Sequence, residues 1–578
     1  MKGLSSEVER RHRLATRALP LTVLAVAAFA LGASTGAPGE APERGAAERF
    51  AGAWARHEFV AMYRDLNPAS KRAIGVHKFA RAYREAEGTA TLRSLKPSSS
   101  REPVSIDGVT TVPVAIAANT VAFGPLQADL DLPFAEGGVA WNRSLVFPGL
   151  RRGEHLQSRI ELATRASILA NDGTPLAEGP ADARSHPIGA AAIDVTGEVG
   201  PPEAANLPAL ERQGFAPYTP VGVSGLEKAF NARLAGKPGG SLLAAANSGG
   251  ASRTLASSPP RPGAPVKTTI EPRLQSAAVA ALGGRAGGIA VLNASSGDVL
   301  ALAGQAFSAP QPPGSTFKSV TTTAALEKGV VSLTDTFPDR NGVSVGGRFI
   351  NNANGEYCGG TFRQAFAESC NADFVPLGPK IGNDALVGTA ERFGFNSYPS
   401  LYAPRIVHQI EPPKPSIPKE IGNELDLGVS AIGQGEVLAT PLEMASVAQT
   451  LAAGGVRKPT AIVTEAKLRP QTKPVRVTSK KIAGELTELM IGVVRNGTGT
   501  AAAIPQGQVA GKTGTAELGP KPGQQNSSNP VQYKDAWFSA FVPAGRPKLA
   551  IGVLFIDAEA AGGEVAAPAA AKVLSAGL

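Results

Sequence analysis

The chain has 578 residues, 43% of them apolar, enough for about three or four domains of ~150 residues with buried cores. Its formal charge of +9 comes with no strongly basic run beyond the N-terminus and no aromatic-rich RNA-binding motif, so no nucleic acid is expected; a basic surface facing an anionic wall or membrane fits better. Two cysteines and six histidines form no cluster with zinc-ligand spacing, so no metal or cofactor is expected.

A basic flank, Lys2, Arg10, Arg11, Arg13 and Arg17, precedes an uncharged stretch over residues 18–39, whose strongly apolar part is 18–33. That part is long for a signal peptide and slightly short for a spanning helix of ~20 residues. The reading is an uncleaved transmembrane anchor over residues 18–36 with residues 1–17 as a cytoplasmic tail. Small residues at Ala28 and Ala30 leave a cleaved signal as the alternative. Either way the basic flank stays inside and the remainder is exported. Residues 34–47, rich in Gly, Ala, Pro and Glu, read as a linker.

Residues 46–150 form their own unit. Residues 48–66 predict a helix with Phe50, Trp54, Phe59, Met62 and Tyr63 spaced for a buried stripe, and 70–87 a second through Ile74, Phe79 and Tyr83. Residues 109–118, 121–132 and 139–147 predict strands. Helices followed by a curved antiparallel sheet imply a cone-like α+β domain, with the aromatics as core instead of a ligand box. Residues 239–265, rich in Gly, Ser, Ala and Pro, read as a flexible loop.

The strings that carry chemistry follow. Pro312-Pro313-Gly314 is a rigid approach, and from Ser315 the pattern turns helical, with Phe317, Val320, Ala324, Ala325 and Leu326 apolar and Gly329 as a stop. Ser315 and Lys318, three apart, share a helix face, so hydroxyl and amine can meet. A serine at a helix start also lies near free backbone N–H groups, useful for an oxyanion. Taken alone, the string reads rather as an N-capping serine and a solvated lysine; the other two motifs reverse that.

Ser369-Cys370-Asn371 ends an amphipathic stretch over residues 361–368, with Phe362, Ala365, Phe366 and Ala367 apolar. Its bland alternative is a helix C-cap with Asn371 left-handed. Cys358 and Cys370 stand twelve apart in an exported chain, so a disulfide is sterically possible. The expectation is nonetheless two unpaired thiols, Cys370 packing inward behind the loop. A second S-x-x-K at residues 416–419 contains Pro418 and cannot be a helical turn, and residues 410–418 are too proline-rich for regular structure. A second S-x-N, at residues 527–529, sits in a polar, Pro-flanked stretch.

Lys512-Thr513-Gly514-Thr515 follows a strand-like run, Gln508-Val509-Ala510-Gly511, and the glycine lets a ligand backbone lie close. An edge strand guarded by a lysine is the bland alternative. A phosphate-binding loop fails, because Gln506 stands where its leading glycine belongs and no helix follows. Residues 515–533 predict an extended polar hairpin, a lid or a partner contact.

S-x-x-K, S-x-N and K-T-G in this order are the signature of serine acyl-transfer enzymes that react with penicillin. From Lys267 to Leu578 the chain resembles the transpeptidase domain of class B penicillin-binding proteins. The likeness extends to residues 268–275, with Glu271 in place of the family's aspartate, and to residues 289–303 as a strand pair turning at Gly297-Asp298. It continues at Ile432-Gly433-Gln434-Gly435, Ala439-Thr440-Pro441-Leu442 and Asp535-Ala536-Trp537-Phe538. Residues 151–262 resemble the family's non-catalytic pedestal, of the dimerisation type, through Gly222-Val223-Ser224-Gly225-Leu226-Glu227 and Leu234-Ala235-Gly236-Lys237-Pro238-Gly239. The pedestal's arginine-led motif at residues 165–176 departs at Ala166 and at Ala170-Asn171, which puts its usual internal contacts in question. Residues 46–150, down to Ala140-Trp141-Asn142-Arg143-Ser144, resemble the N-terminal domain of MecA-type penicillin-binding proteins, which has the nuclear-transport-factor-2-like fold.

The resemblance implies a multidomain α+β protein: a penicilloyl-serine transferase domain over residues 267–578 with antiparallel sheet and helices, a β-rich pedestal, an α+β cone and a membrane helix. It implies a single-pass peptidoglycan D,D-transpeptidase, acylated by β-lactams, with its catalytic domain outside the cytoplasm. Ser315 would attack the carbonyl between the last two D-alanines of a stem peptide. Since no histidine sits in a triad context, Lys318 is the candidate base, its pKa lowered from ~10.4 by burial and by Lys512. Ser369 would relay protons between the lysines and the leaving amine. Asn371 would hold the substrate amide, Thr513 and Thr515 its carboxylate beside Gly514, and the N–H groups of Ser315 and Thr515 the oxyanion.

The implied partners are stem peptides, β-lactams, the membrane and a membrane glycosyltransferase of the division or elongation machinery. A β-lactamase or β-lactam sensor shares the three motifs, but the large preceding domains argue against a secreted lactamase. Intact Ser315 and Lys318 argue against a wall-binding scaffold, and a glycosyltransferase half is not expected ahead of the pedestal.

Overall fold

The computed structural model describes residues 42–106, 108–403, 413–520 and 532–578. The expected anchor and tail, the linker up to residue 41, residues 521–531 of the expected hairpin and the second S-x-N string lie outside the described residues. Among the described residues, no helix is long and apolar enough to cross a membrane. The chain divides into two compact units, each assembled from three stretches of sequence.

One unit takes the described part of Met1–Leu162 with Ala204–Pro217 and Lys237–Arg261. Its first helices are Pro42–Ala55, Phe59–Arg64, Pro68–Ala73 and Val76–Thr89. The helix expected over residues 48–66 is therefore two, because His57 adopts a left-handed φ of 57° that no helix continues through. The helix expected over 70–87 breaks at Ile74 and Gly75, both extended. The aromatic stripe survives these breaks: Phe50, Trp54, Phe59, Met62, Phe79 and Tyr83 are all buried, with Trp54 edge-on to Tyr83 at 5.1 Å.

These side chains pack on Val112, Val114, Ile116, Leu130 and Leu132 of an antiparallel sheet ordered Leu92–Ser100, Val109–Thr120, Pro125–Ala135, Gly138–Val139, with Val104–Ile106 paired to the second of these. The strand expected over residues 139–147 is not formed. After Val139 the chain winds into the 3-10 turn Arg143–Val146, where the Asn142 side chain accepts from the Ser144 N–H. The strand Leu92–Ser100 is illegible in the sequence because Pro97 and a run of serines imitate a turn.

The loop expected over residues 239–265 is also corrected. Gly239–Ala246 lies between Glu154–Glu161 and Arg253–Ser258 in a three-stranded antiparallel sheet. The glycine content reflects crowding: a Cβ on Gly240 would stand 1.9 Å from the Arg159 carbonyl oxygen. Leu242 and Ala244 point inward at the spacing of a half-buried strand.

The other unit takes Ala163–Glu203, Tyr218–Gly236 and Pro262–Leu578. Ile168–Leu169 pairs with Pro175–Ala177 on one side and Val266–Lys267 on the other. The buried Glu227 carboxylate is shared by Arg165 and by Arg184, whose Nε lies 2.7 Å away. Arg184 Nη2 also donates to the Ala166 backbone carbonyl at 2.6 Å, a contact that does not involve the side chain at 166.

The main sheet comprises β1 (Gly287–Asn293), β2 (Val299–Gly304), β3 (Ala510–Pro520), β4 (Gln532–Val542) and β5 (Leu549–Phe555), antiparallel in the order β2-β1-β5-β4-β3. The expected strand pair over residues 289–303 is β1 and β2, turning at Gly297 with φ 79°. Around the sheet stand α1 (Pro272–Leu282), α2 (Lys318–Lys328), α3 (Phe362–Glu368), α4 (Pro441–Ala452), α5 (Lys480–Asn496) and α6 (Gly562–Ala576).

Alternate strand residues serve two cores. Ile289, Val291, Phe538, Ile551 and Val553 meet α1 and α6, whereas Ala290, Leu292, Trp537, Phe541 and Leu554 share a core with residues of α2, α4 and α5. Helices on both faces explain why β5 is buried along its whole length. β3 is left at the edge.

Candidate active site

Gly314–Phe317 forms a 3-10 turn that runs directly into α2, and Gly329 ends the helix in the left-handed region at φ 69°. Ser315 sits half-buried in that turn. Glycines hold the turn against its neighbours. Gly314 N donates to the Gly433 carbonyl at 2.9 Å, a Cβ on Gly433 would be 2.2 Å from the Gly314 oxygen, and a Cβ on Gly314 would be 2.6 Å from the Thr515 oxygen. The Ile432–Gly435 segment and β3 thus grip the serine from two sides.

The second motif follows α3, whose first turn is closed by a capping box between Thr361 and Gln364. The helix ends at Ser369 with φ 65°, so the left-handed residue is the serine and not Asn371. This reversal brings the loop over Lys318. The Lys318 ammonium, wholly buried, donates to the Ser369 carbonyl at 2.7 Å, to Asn371 Oδ1 at 2.9 Å and to Ser369 Oγ at 3.3 Å. Lys512, on β3 and equally buried, donates to Ser369 Oγ at 2.8 Å and to the Thr513 carbonyl at 3.1 Å.

The structure therefore gathers Lys318, Ser369, Asn371 and Lys512 into one network around the Ser369 hydroxyl. The Ser315 hydroxyl has no hydrogen-bond partner among the described residues. The lysine that shares its helix face is engaged by the S-x-N loop, a looseness common before substrate binds.

Burial pushes the Lys318 amine well below the ordinary lysine range, the nearby Lys512 cation pushes it further, and Asp373 opposes both. Burial brings Lys512 down to about 7. The ring faces of Phe374, 5.0 Å from Lys318 Nζ, and Phe366, 5.6 Å from Lys512 Nζ, supply what polar compensation the apolar walls allow.

K-T-G lies in the edge strand β3, with no helix after it, which disposes of a phosphate loop. Gly514 is required there, since its Cβ would lie 2.7 Å from the Pro313 oxygen. Thr515 Oγ1 accepts from Gly562 N at 3.3 Å. The other S-x-x-K string is no helix: Ser416 N donates to the Leu438 carbonyl at 2.8 Å in an isolated bridge.

Two site residues escape sequence reasoning. Thr498 Oγ1 lies 2.5 Å from Thr513 Oγ1, and its one signal is the Gly497-Thr498-Gly499 punctuation between α5 and K-T-G. Asp373, four residues past Ser369, is 1% exposed; its Oδ1 is 3.3 Å from Arg340 Nη2, and its Oδ2 has no partner. Burial raises the pKa of this carboxyl, against the pull of Arg340 and Lys318.

The expectation of free thiols is overturned. Cys358 and Cys370 form a disulfide across Cα atoms 5.9 Å apart. The strand Cys358–Thr361 leads straight into α3, and one helix of seven residues returns the chain beside its own start, with Ala365 packed in the same buried cluster as the two cysteines.

Comparison with known proteins bears directly on this site. Residues 287–575, half of the chain, match the penicillin binding protein transpeptidase domain, and residues 179–268 match the penicillin-binding protein dimerisation domain. The chain is 35% identical over 299 residues to peptidoglycan D,D-transpeptidase PbpA of Mycobacterium tuberculosis, covering 48% of this chain and 57% of that one. It is 26% identical over 389 residues to peptidoglycan D,D-transpeptidase FtsI of Escherichia coli, covering 61% and 63%. The match thus spans less than two thirds of the length of these curated relatives.

Among solved structures, the fold is similar to penicillin-binding protein A from M. tuberculosis in its ceftriaxone acyl-enzyme complex, with TM-score 0.57, 28% identity and coverage of 72% of this chain and 98% of that one. The D,D-transpeptidase domain of a peptidoglycan glycosyltransferase from Eggerthella lenta matches with the same values. Three motifs converging on one lysine-bridged serine, in a domain that matches along its length, place the chain in the class B penicillin-binding protein transpeptidase family.

Proposed function

We propose that the chain is a peptidoglycan D,D-transpeptidase that cross-links stem peptides through an acyl-enzyme on Ser315 and is acylated by β-lactams at the same serine. The observation that carries this reading is the Ser369 hydroxyl held between two buried lysine amines of lowered pKa. Two wholly buried lysines this close are costly to a fold and useful to a proton relay.

In this reading neutral Lys318 takes the proton of Ser315 as the serine oxygen attacks the carbonyl between the two terminal D-alanines. The N–H groups of Ser315 and Thr515 hold the oxyanion. The proton passes through Ser369 to the leaving nitrogen, the C–N bond breaks and D-alanine departs. The amine of a neighbouring stem peptide then attacks the ester, its proton returns by the same relay, and Ser315 is regenerated. Asn371 holds the substrate amide, while Thr513 (with Thr498 behind it) and Thr515 take the terminal carboxylate beside Gly514.

The wider assignment follows the same reading. Residues 18–36 anchor the chain and residues 1–17 remain in the cytoplasm. Residues 46–150 are a MecA-type domain, supported by helices packed on an antiparallel sheet. Residues 151–262 correspond in sequence to the pedestal, although they are shared between the two compact units, residues 267–578 catalyse outside the membrane, and a membrane glycosyltransferase supplies the glycan strands.

The test is covalent labelling with a fluorescent penicillin, followed by peptide mapping. Label is expected on Ser315, persisting for many minutes, and is expected to vanish in Ser315→Ala. Label mapped to another serine in that variant would sink the assignment, and rapid hydrolysis of the drug would make the protein a β-lactamase instead.

A further inference from the structure

The unit that carries Ser315 also holds a cavity of ≈360 Å³ to which S-x-x-K, S-x-N and K-T-G contribute no residue. Its walls come from Gly394 and the segment after it, the first turns of α4, and the stretches around Arg457 and Lys473. Glu443, in the first turn of α4, is 6% exposed, and its Oε1 has no hydrogen-bond partner. Arg457, Lys458 and Lys473 line the same space, and none of them forms an ion pair among the described residues. Arg457 Nε is likewise buried without a partner.

The carboxyl and the guanidinium both approach the backbone at Gly394. A Cβ on Gly394 would lie 2.7 Å from Glu443 Oε1 and 2.8 Å from Arg457 Nη1, so the glycine lets both groups pack against the backbone at the cavity wall. Ser397, Ser446 and Thr472 add hydroxyls to the wall. Burial lifts the Glu443 carboxyl to about 7, against the pull of Arg457.

Each feature specifies part of a ligand. A buried carboxyl oxygen without a donor is satisfied by a hydroxyl or amide hydrogen brought from outside. Three cations without ion pairs, against a single carboxyl, favour a charge-assisted contact to an oxyanion. Walls that mix hydroxyls with the apolar Leu442 and Val475, in a space of this volume, suit a hydroxylated ring better than a bare ion. We propose that this cavity is a second binding site, taking a sugar acid whose carboxylate meets Arg457 and Lys473 and whose ring hydroxyl meets Glu443.

The proposal is independent of the transpeptidase reading and is tested by calorimetric titration of the full chain with N-acetylmuramic acid, N-acetylglucosamine, inorganic phosphate and D-alanine. Saturable one-to-one binding of N-acetylmuramic acid is expected, with no binding of the neutral sugar. Arg457→Gln and Lys473→Gln are each expected to weaken it on the order of tenfold, the usual worth of a charged hydrogen bond. A wild-type circular dichroism spectrum and thermal unfolding midpoint show that each variant is folded, and Lys473→Gln, on the surface, keeps the test open if Arg457→Gln is not. Absence of binding at millimolar concentration, equal binding of the neutral sugar, or binding untouched by both variants would overturn the proposal. Phosphate or D-alanine binding as tightly as the sugar acid would overturn the ring-bearing ligand.

Discussion

Lys318 is an amine placed where water cannot reach it, and its chemistry follows from that. Protonated, it must live on the Ser369 carbonyl, Asn371 Oδ1 and a ring face; neutral, it can accept a proton. Lys318→Ala is expected to cut the second-order rate of penicillin acylation ~10²–10⁴-fold, toward the upper end, while circular dichroism stays native. Ser416→Ala, in the bridge to Leu438, is expected to leave that rate unchanged.

The pH dependence has a definite sign. In the proposed mechanism the active form is neutral Lys318, so acylation is expected to rise as pH climbs through its depressed pKa. Among the groups around it, Lys512 depresses that pKa and Asp373, itself paired with Arg340, raises it. Asp373→Asn removes the opposing charge and is expected to move the acid limb of the rate profile to lower pH. A limb that stays in place or moves up would show that Asp373 does not act on Lys318. Stability responds in the same sense. Lys512 falls to about 7 in the folded chain, against ~10.4 when unfolded, so between those values the unfolded state binds the extra proton and stability rises with pH. Below the folded pKa both states are protonated and the cost of the buried charge is fully present.

At the scale of elements, α3 is a short helix tied at both ends: a capping box opens it, and the disulfide from Cys358 to Cys370 closes the loop that places Ser369. Intact mass is expected to rise by two hydrogens on reduction. Cys358→Ser is expected to lower unfolding free energy by ~2–4 kcal/mol, the usual range for closing a loop of this order. An unchanged denaturant midpoint in the variant would show the bond to be idle. The glycines at 314 and 433 do for the serine turn what the disulfide does for the S-x-N loop, bringing backbones closer than any side chain permits.

For the whole molecule, the arginine-flanked apolar stretch over residues 18–33 predicts that the full-length protein fractionates with membranes and begins at Met1. N-terminal sequencing that starts at Leu31 or beyond would make the stretch a cleaved signal. The two compact units are each woven from three stretches, so a linear division of the chain does not correspond to its folding units. Residues 151–162 and 237–261 fold with the helices and sheet that precede them, whereas residues 163–203 and 218–236 fold with the unit that bears Ser315.

What the sequence determined by itself is local in origin. The helix after Ser315 with its stop at Gly329, the strand bearing K-T-G and the amphipathic helix before Ser369 are all written in periodicity and punctuation over a dozen residues or fewer. So is the exclusion of the strings at 416–419 and of the phosphate loop. Tertiary structure decided everything that depends on which distant segments meet. It made Ser369 rather than Asn371 the left-handed residue, joined two cysteines expected to be free, and set Thr498 beside Thr513 and Asp373 beside Lys318. It also turned a glycine-rich run at residues 239–258 into paired strands, because glycine reads as a loop until the backbone it must accommodate is known. Propensity is a property of neighbours along the chain; burial, pairing and a displaced pKa are properties of neighbours in space.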